Sequence, residues 1–156
     1  MKKMISRMVS HRSFPYVMAF LMPFIICVVI CIGNGVYPFG DNCILHIDMY
    51  HQYCPFFTEF LHKLRTGGSL QYSWNLGLGS DFVSLYAYYL ASPLNFPIVL
   101  FPKRNMMDAM ALLIVLKIGL CGLTSAWYFS TKSKGQTYMP LVFSLMFSLG
   151  SFIIGY

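Results

Sequence analysis

Apolar residues occur along this chain in long runs rather than in short alternating groups, and three of the runs approach membrane-crossing length. Residues 16–32, 109–131 and 138–156 are uncharged or nearly so, and an α-helix needs about 20 residues at ~1.5 Å each to cross a hydrocarbon layer. Pro23 lies inside the first run, where a membrane helix tolerates it if packed neighbours satisfy the freed backbone groups. Gly33-Asn34-Gly35 and Pro38-Phe39-Gly40 punctuate the chain heavily enough to end that helix. Residues 82–101 form a further uncharged run. Pro93, Pro97 and Pro102, with Ser92 and Asn95, interrupt its second half, so it reads either as a span or as a re-entrant or interfacial segment.

Between these runs, residues 42–64 follow helical spacing, with Ile44, Ile47, His51, Cys54, Phe57, Leu61 and Leu64 on one side. The pattern predicts an amphipathic helix lying along the membrane surface. Thr66-Gly67-Gly68-Ser69 should end it. Residues 72–80 contain Trp74, Asn75, Gly77 and Gly79 and have little helical character, a composition that lets backbone come close to a ligand. Trp74 with Tyr86, Tyr88 and Tyr89 suits an interfacial aromatic belt.

Composition points the same way. The 156 residues are 57% hydrophobic and only 10% charged, against about 25% charged in soluble domains. The expected fold class is an all-α integral membrane protein, a polytopic helical bundle with about three spans and a long external loop bearing juxtamembrane helices. The net charge of +6 does not indicate nucleic acid, because Lys2, Lys3, Arg7 and Arg12 precede the first run, where the positive-inside rule accounts for them. Residues 1–12 are therefore expected to be a cytoplasmic tail and residues 13–32 an uncleaved signal anchor, since no A-x-A cleavage site follows. All five acids, Asp41, Asp48, Glu59, Asp81 and Asp108, lie between the first and second long runs. Counting Lys and Arg gives equal totals whether or not residues 82–101 span, so charge alone leaves the topology of that segment open. The chain ends inside an apolar run, which suggests a longer polytopic protein.

The densest polar cluster is residues 40–53. On a helix, Asp48, His51 and Gln52 share a face. A carboxylate there could act as general base toward a hydroxyl, or hold a divalent cation beside an anionic phosphate leaving group; alternatively these residues form the solvated side of a surface helix. His46, Asp48 and His51 are candidate metal ligands, although H-x-D-x-x-H matches no zinc signature. Glu59 and His62 read as a solvated surface contact. Lys117 stands within an apolar run, where a charge costs about 2.5–3.5 kcal/mol; it either faces a cavity or snorkels to an interface. Cys27, Cys31 and Cys121 sit in apolar runs as small hydrophobes, leaving Cys43 and Cys54 as the two that could meet oxidants.

Gly40-Asp41, then Ile47-Asp48-Met49-Tyr50-His51-Gln52-Tyr53, then Tyr72-Ser73-Trp74-Asn75-Leu76-Gly77-Leu78-Gly79, Tyr88-Tyr89-Leu90-Ala91-Ser92-Pro93-Leu94-Asn95 and Leu116-Lys117 together resemble the N-terminal part of the YfhO family of bacterial multispanning membrane proteins. That family is similar to GT-C glycosyltransferases, which move a sugar from a polyprenyl phosphate to an acceptor outside the membrane. The resemblance implies a catalytic acid in the first external loop, with Asp48 matching best and Asp41 next. It implies substrate contacts from His51, Gln52, Tyr53, Trp74, Asn75 and Lys117, and a cell-wall polymer such as lipoteichoic acid in Gram-positive bacteria as acceptor. It also places residues 33–108 outside, 109–131 as a second span, 132–137 as a cytoplasmic loop and 138–156 as a third span, in a multi-pass cell-membrane protein whose remaining spans are needed for activity. A non-catalytic transporter or scaffold of envelope assembly is the alternative.

Overall fold

Helix α1, Phe14–Gly33, carries Pro15, Ala19, Pro23, Cys27 and Cys31 as its buried positions. That fourfold spacing is a single helix face of small or compact residues, and Pro23 leaves the helix unbroken. Val17, Ile25, Val29 and Ile30 on other faces are exposed, as expected for side chains whose solvent is lipid. The computed structural model describes residues 13–36, 38–133 and 138–150. The expected basic tail 1–12, most of the 132–137 loop and residues 151–156 of the expected third span lie outside the described residues.

The chain divides into two units, residues 1–33 with 114–156 and residues 34–113. In the first unit α1 packs against the C-terminal part of helix α4, Met106–Lys132, and against α5, Met139–Ser148. Tyr16 donates its hydroxyl to Ser130 Oγ at 2.8 Å. Gly119 and Gly122 lie so near α1 that a Cβ at Gly119 would meet the Phe20 ring at 3.0 Å, and one at Gly122 would meet the Ala19 carbonyl. Close backbone approach through small residues is how helices associate in lipid, where no hydrophobic force distinguishes neighbour from solvent. Among the described residues, α1 and the helical stretch Lys103–Lys132 are long and apolar enough to cross a membrane. The described part of α5 is shorter.

The second unit is built from short elements. After α1, Gly35 turns at positive φ and Asn42 closes the turn, its N–H donating to Gly35 O at 3.0 Å and its Nδ2 to Asn34 O at 2.8 Å. A π-helical turn, Met49–Tyr53, leads into α2, Cys54–Thr66, which stops at Gly67 in the left-handed conformation, φ 65°. Strands β1, Tyr72–Ser73, and β2, Ser80–Asp81, pair antiparallel with Tyr72 opposite Asp81. Asp81 then caps α3, Phe82–Leu85, accepting from Val83 N at 3.0 Å and from the Ser84 hydroxyl. The chain continues through a π turn, Tyr86–Leu90, and a 3-10 helix, Pro93–Leu100, the two arms meeting at 101°. Phe60, Leu61, Phe82, Leu90 and Ile98 are fully buried and join α2, α3 and the 3-10 arm.

One expectation is corrected. The amphipathic helix read over residues 42–64 begins only at Met49, because Ile47 takes positive φ (47°) and is exposed. The apolar spacing of Ile44 and Ile47 therefore does not mark a buried face.

Candidate functional site

Helix α2 and the turn before it place His51, Cys54, Pro55, Thr58, Glu59 and His62 along one stripe, at the three- and four-residue steps of a helix face. This stripe forms one wall of a cleft of about 790 Å³. Asn75 and Leu76, carried by the β1–β2 connection, and Lys103 and Met107, at the entry to α4, complete it together with Tyr50. All these elements belong to the second unit.

At the cleft wall Glu59 is 6% exposed and fully engaged. It accepts from Ser73 Oγ at 2.7 Å and Asn75 Nδ2 at 2.9 Å, with Lys63 Nζ at 3.6 Å. Burial alone would raise its pKa. The hydrogen bonds from Ser73 and Asn75, with the charges of Lys63 and His62, outweigh burial and hold the carboxyl below its ordinary range. Lys63 also donates to Ser69 O at 2.7 Å and Tyr72 O at 2.8 Å, and lies 5.1 Å from the centre of the Phe82 ring. The pair thus pins β1 and its following loop onto α2. The reading of Glu59 with His62 as a solvated contact is overturned: Glu59 is buried because Ser73 and Asn75, far along the chain, supply its partners.

The residues singled out from the sequence separate into several places. His51 and Asn75 line the cleft; Asp48 does not. Asp48 is exposed and accepts a long contact from Gln52 Nε2 at 3.5 Å, while Gln52 Oε1 accepts from the Tyr89 hydroxyl at 3.3 Å. Tyr53 packs edge-on against Tyr89, ring centres 4.9 Å apart, and its phenol is pushed up first by burial, then by Tyr89, Tyr88 and Asp48. Asp41 lies on a smaller groove of about 200 Å³ that Asp108, Asn42 and Cys43 also line. Trp74 is exposed against Tyr72. Lys117 is half-buried in α4 within the first unit.

His46, Asp48 and His51 do not converge: among the described residues no three His, Cys, Asp or Glu side chains are placed to hold a metal ion. Cys43 and Cys54 are both free thiols; Cys43 Sγ sits 3.8 Å from Met107 Sδ, and the Cys54 thiol is pushed up by burial and by Cys43. Sequence reasoning did not single out Lys63, Lys103 or Asp108 for the site. For Lys63 a signal was present, since Glu59 and Lys63 form an i,i+4 acid–base pair within a helix whose Phe57, Phe60 and Leu61 are apolar.

Comparison with curated proteins and with solved structures gives no match. The family model described as bacterial membrane protein YfhO matches residues 18–156. This match covers most of the chain, including most of α1, all of α4 and the whole polar unit that joins them in sequence, and the chain belongs to the YfhO family of bacterial membrane proteins.

Proposed function

We propose that this membrane protein serves glycosyl transfer of the GT-C kind, moving a sugar from a polyprenyl-phosphate donor to a cell-wall polymer such as lipoteichoic acid. The observation that carries the reading is the cleft of about 790 Å³ on the polar unit, which follows one membrane-length helix in the sequence and leads into another, lined by His51, Glu59, His62, Asn75 and Lys103. Planar hydrogen-bonding side chains beside Tyr50 suit a sugar ring, and Lys103 suits a phosphate. In the reaction, a base takes the proton of an acceptor hydroxyl, the oxygen bonds to the anomeric carbon, and the carbon–oxygen bond to phosphate breaks, releasing polyprenyl phosphate with inversion. Asp48 is our first candidate base: it is exposed, stands three residues before His51 of the cleft wall, and accepts the long contact from Gln52, which Tyr89 in turn holds. Asp41 is the second.

The test is sugar transfer by membranes carrying the protein. Asp48→Asn preserves side-chain volume and removes the base, so transfer should fall at least ~100-fold with expression unchanged. Asp41→Asn should cost less. Transfer at the wild-type rate by both variants would remove Asp48 and Asp41 as the base, and membranes whose transfer does not rise with the protein would favour a non-catalytic transporter or scaffold.

Lys117 is proposed as a contact to the donor phosphate. Lys117→Met removes a charge that costs about 2.5–3.5 kcal/mol at mid-helix, so the protein should insert at least as well, while its apparent affinity for the donor falls. Lys117→Arg should keep part of the affinity, because the charge persists in a different shape. A donor titration of Lys117→Met that superimposes on wild type would assign the lysine to snorkelling.

A further inference from the structure

We infer that the bent hairpin of α3, its π turn and the 3-10 arm is a membrane-inserted wedge, and that the surface it fits is the hydrocarbon and headgroup boundary of one leaflet. From Phe82 to Leu100 the hairpin contains no charged residue, and its two arms together are as apolar as a span. Yet their 101° bend makes a straight crossing the wrong shape. Large apolar side chains on both arms face outward, with Tyr88 81% and Leu100 83% exposed, and Val83 and Phe96 also exposed. An apolar surface of this size on a connecting loop needs an occupant.

The backbone identifies lipid as that occupant. Irregular chain enters hydrocarbon only if its polar groups are satisfied internally, and at the weak points of this hairpin they are. At the bend, buried Asn95 donates from Nδ2 to Leu90 O at 3.1 Å and from its backbone to Ser92 O at 2.9 Å. At the far end, Arg65 Nη2 donates to Val99 O at 2.9 Å and Phe101 O at 2.6 Å. These two residues do for the hairpin what neighbouring helices do for a broken span.

Charge supports the same assignment. Arg65, bound to the end of the hairpin, and Lys103 and Arg104, just after it, form a cationic edge beside the apolar surface. Such an edge complements anionic headgroups, and Tyr86, Tyr88 and Tyr89 are amphipathic residues of the kind found at that depth. The polar unit is also joined at each end to a membrane-length helix, so the leaflet is within reach. Lys103 lines the cleft as well, so insertion of the wedge would hold the cleft mouth at the level of lipid phosphates. That consequence rests on the proposed transfer reaction; insertion itself does not.

The experiment is spin-label accessibility on the chain in nanodiscs containing phosphatidylglycerol, with the native cysteines replaced by alanine. Nitroxides at Tyr88→Cys, Phe96→Cys and Leu100→Cys should collide several-fold more often with oxygen than with an aqueous nickel chelate. Labels at Ser69→Cys and Gln71→Cys, exposed polar positions, should show the reverse. Nickel access at all three hairpin sites would overturn the wedge in favour of a solvated loop, and shielding from both reagents would overturn it in favour of a protein neighbour. Because cysteine replacement can itself disturb folding, a second measurement uses native cysteines. Tyr88→Trp and Leu100→Trp, with Trp74 and Trp127 changed to Phe, should be quenched by lipids brominated high on their chains, and absence of quenching at both would sink the proposal.

Discussion

Glu59→Ala should loosen the polar unit, making the chain from Gly67 to Asp81 sensitive to protease while α1 and α4 stay inserted in the membrane. The substitution leaves Lys63 buried with its carbonyl partners but without its carboxylate, and removes the acceptor of both Ser73 and Asn75. Breaking a buried ion pair on one side costs roughly 3–5 kcal/mol, a large share of the ~5–15 kcal/mol that holds a domain together. Lys63→Met should act similarly, because it strands Glu59 and frees the carbonyls of Ser69 and Tyr72. Ser73→Ala removes one hydrogen bond from a still-charged acceptor and should cost only about 1–3 kcal/mol. Hydrogen exchange followed by mass spectrometry in nanodiscs reads the difference peptide by peptide. Wild-type protection of residues 67–81 in both Glu59→Ala and Lys63→Met would mean that the network does not hold the loop.

The same network sets an acid limit. Glu59 has its folded pKa depressed, so the stability it contributes is fully present above the ordinary carboxylate pKa and is lost as pH falls through the lower folded value. Protection of residues 67–81 should therefore be level from neutral pH down to the usual carboxylate range and decline below it. In Glu59→Gln this part of the decline should disappear, because the group that takes up the proton is gone. Asp81, held low chiefly by Ser84 and by the backbone of Val83 and Ser84, titrates in the same direction. Asp81→Asn is the control that separates the two.

The membrane helices were legible because one local property, sustained hydropathy, determines them. Long apolar helices were expected at residues 13–32 and 109–131, and α1 and α4 lie there at Phe14–Gly33 and Met106–Lys132. The break at Thr66-Gly67 was legible for a similar reason: only a residue tolerant of positive φ ends a helix in this way. What failed depended on distant partners. Nothing around Ile44 and Ile47 announces that the chain turns at positive φ before Met49, and nothing around Glu59 announces the arrival of Ser73 and Asn75. Residues 82–101 fell between the two cases. Their prolines marked an interruption, whereas the partners that satisfy the bent chain, Asn95 at the bend and Arg65 at its far end, are not adjacent in sequence, Arg65 belonging to a different helix. The cleft shows the same division, since His51 and Asn75 were named beforehand while Lys103 reaches it from a segment whose sequence suggested only a topogenic charge.

Gly122→Ala should destabilise the pairing of α1 and α4 more than any other single-methyl addition considered for this interface, and the sign of its effect is the diagnostic. In a helix with free space, replacing glycine by alanine stabilises by about 1 kcal/mol, because glycine has more conformational freedom to lose. Here the added Cβ would fall on the backbone carbonyl of Ala19 and within 3.0 Å of Pro23 Cγ. Neither can rotate away, since one is backbone in mid-helix and the other a ring that fixes its own φ. The helices must then move apart, at about 1–3 kcal/mol of overpacking, in a medium where close contact is the main source of helix association. Gly119→Ala is the internal comparison. Its Cβ meets chiefly the Phe20 ring at 3.0 and 3.2 Å, a side chain that can tilt, so its effect should be small and of either sign. Thermal aggregation of the detergent-solubilised protein, read by size-exclusion chromatography, ranks the variants. A Gly122→Ala protein that survives heating as well as Gly119→Ala would show that α1 and α4 do not approach this closely in the membrane protein.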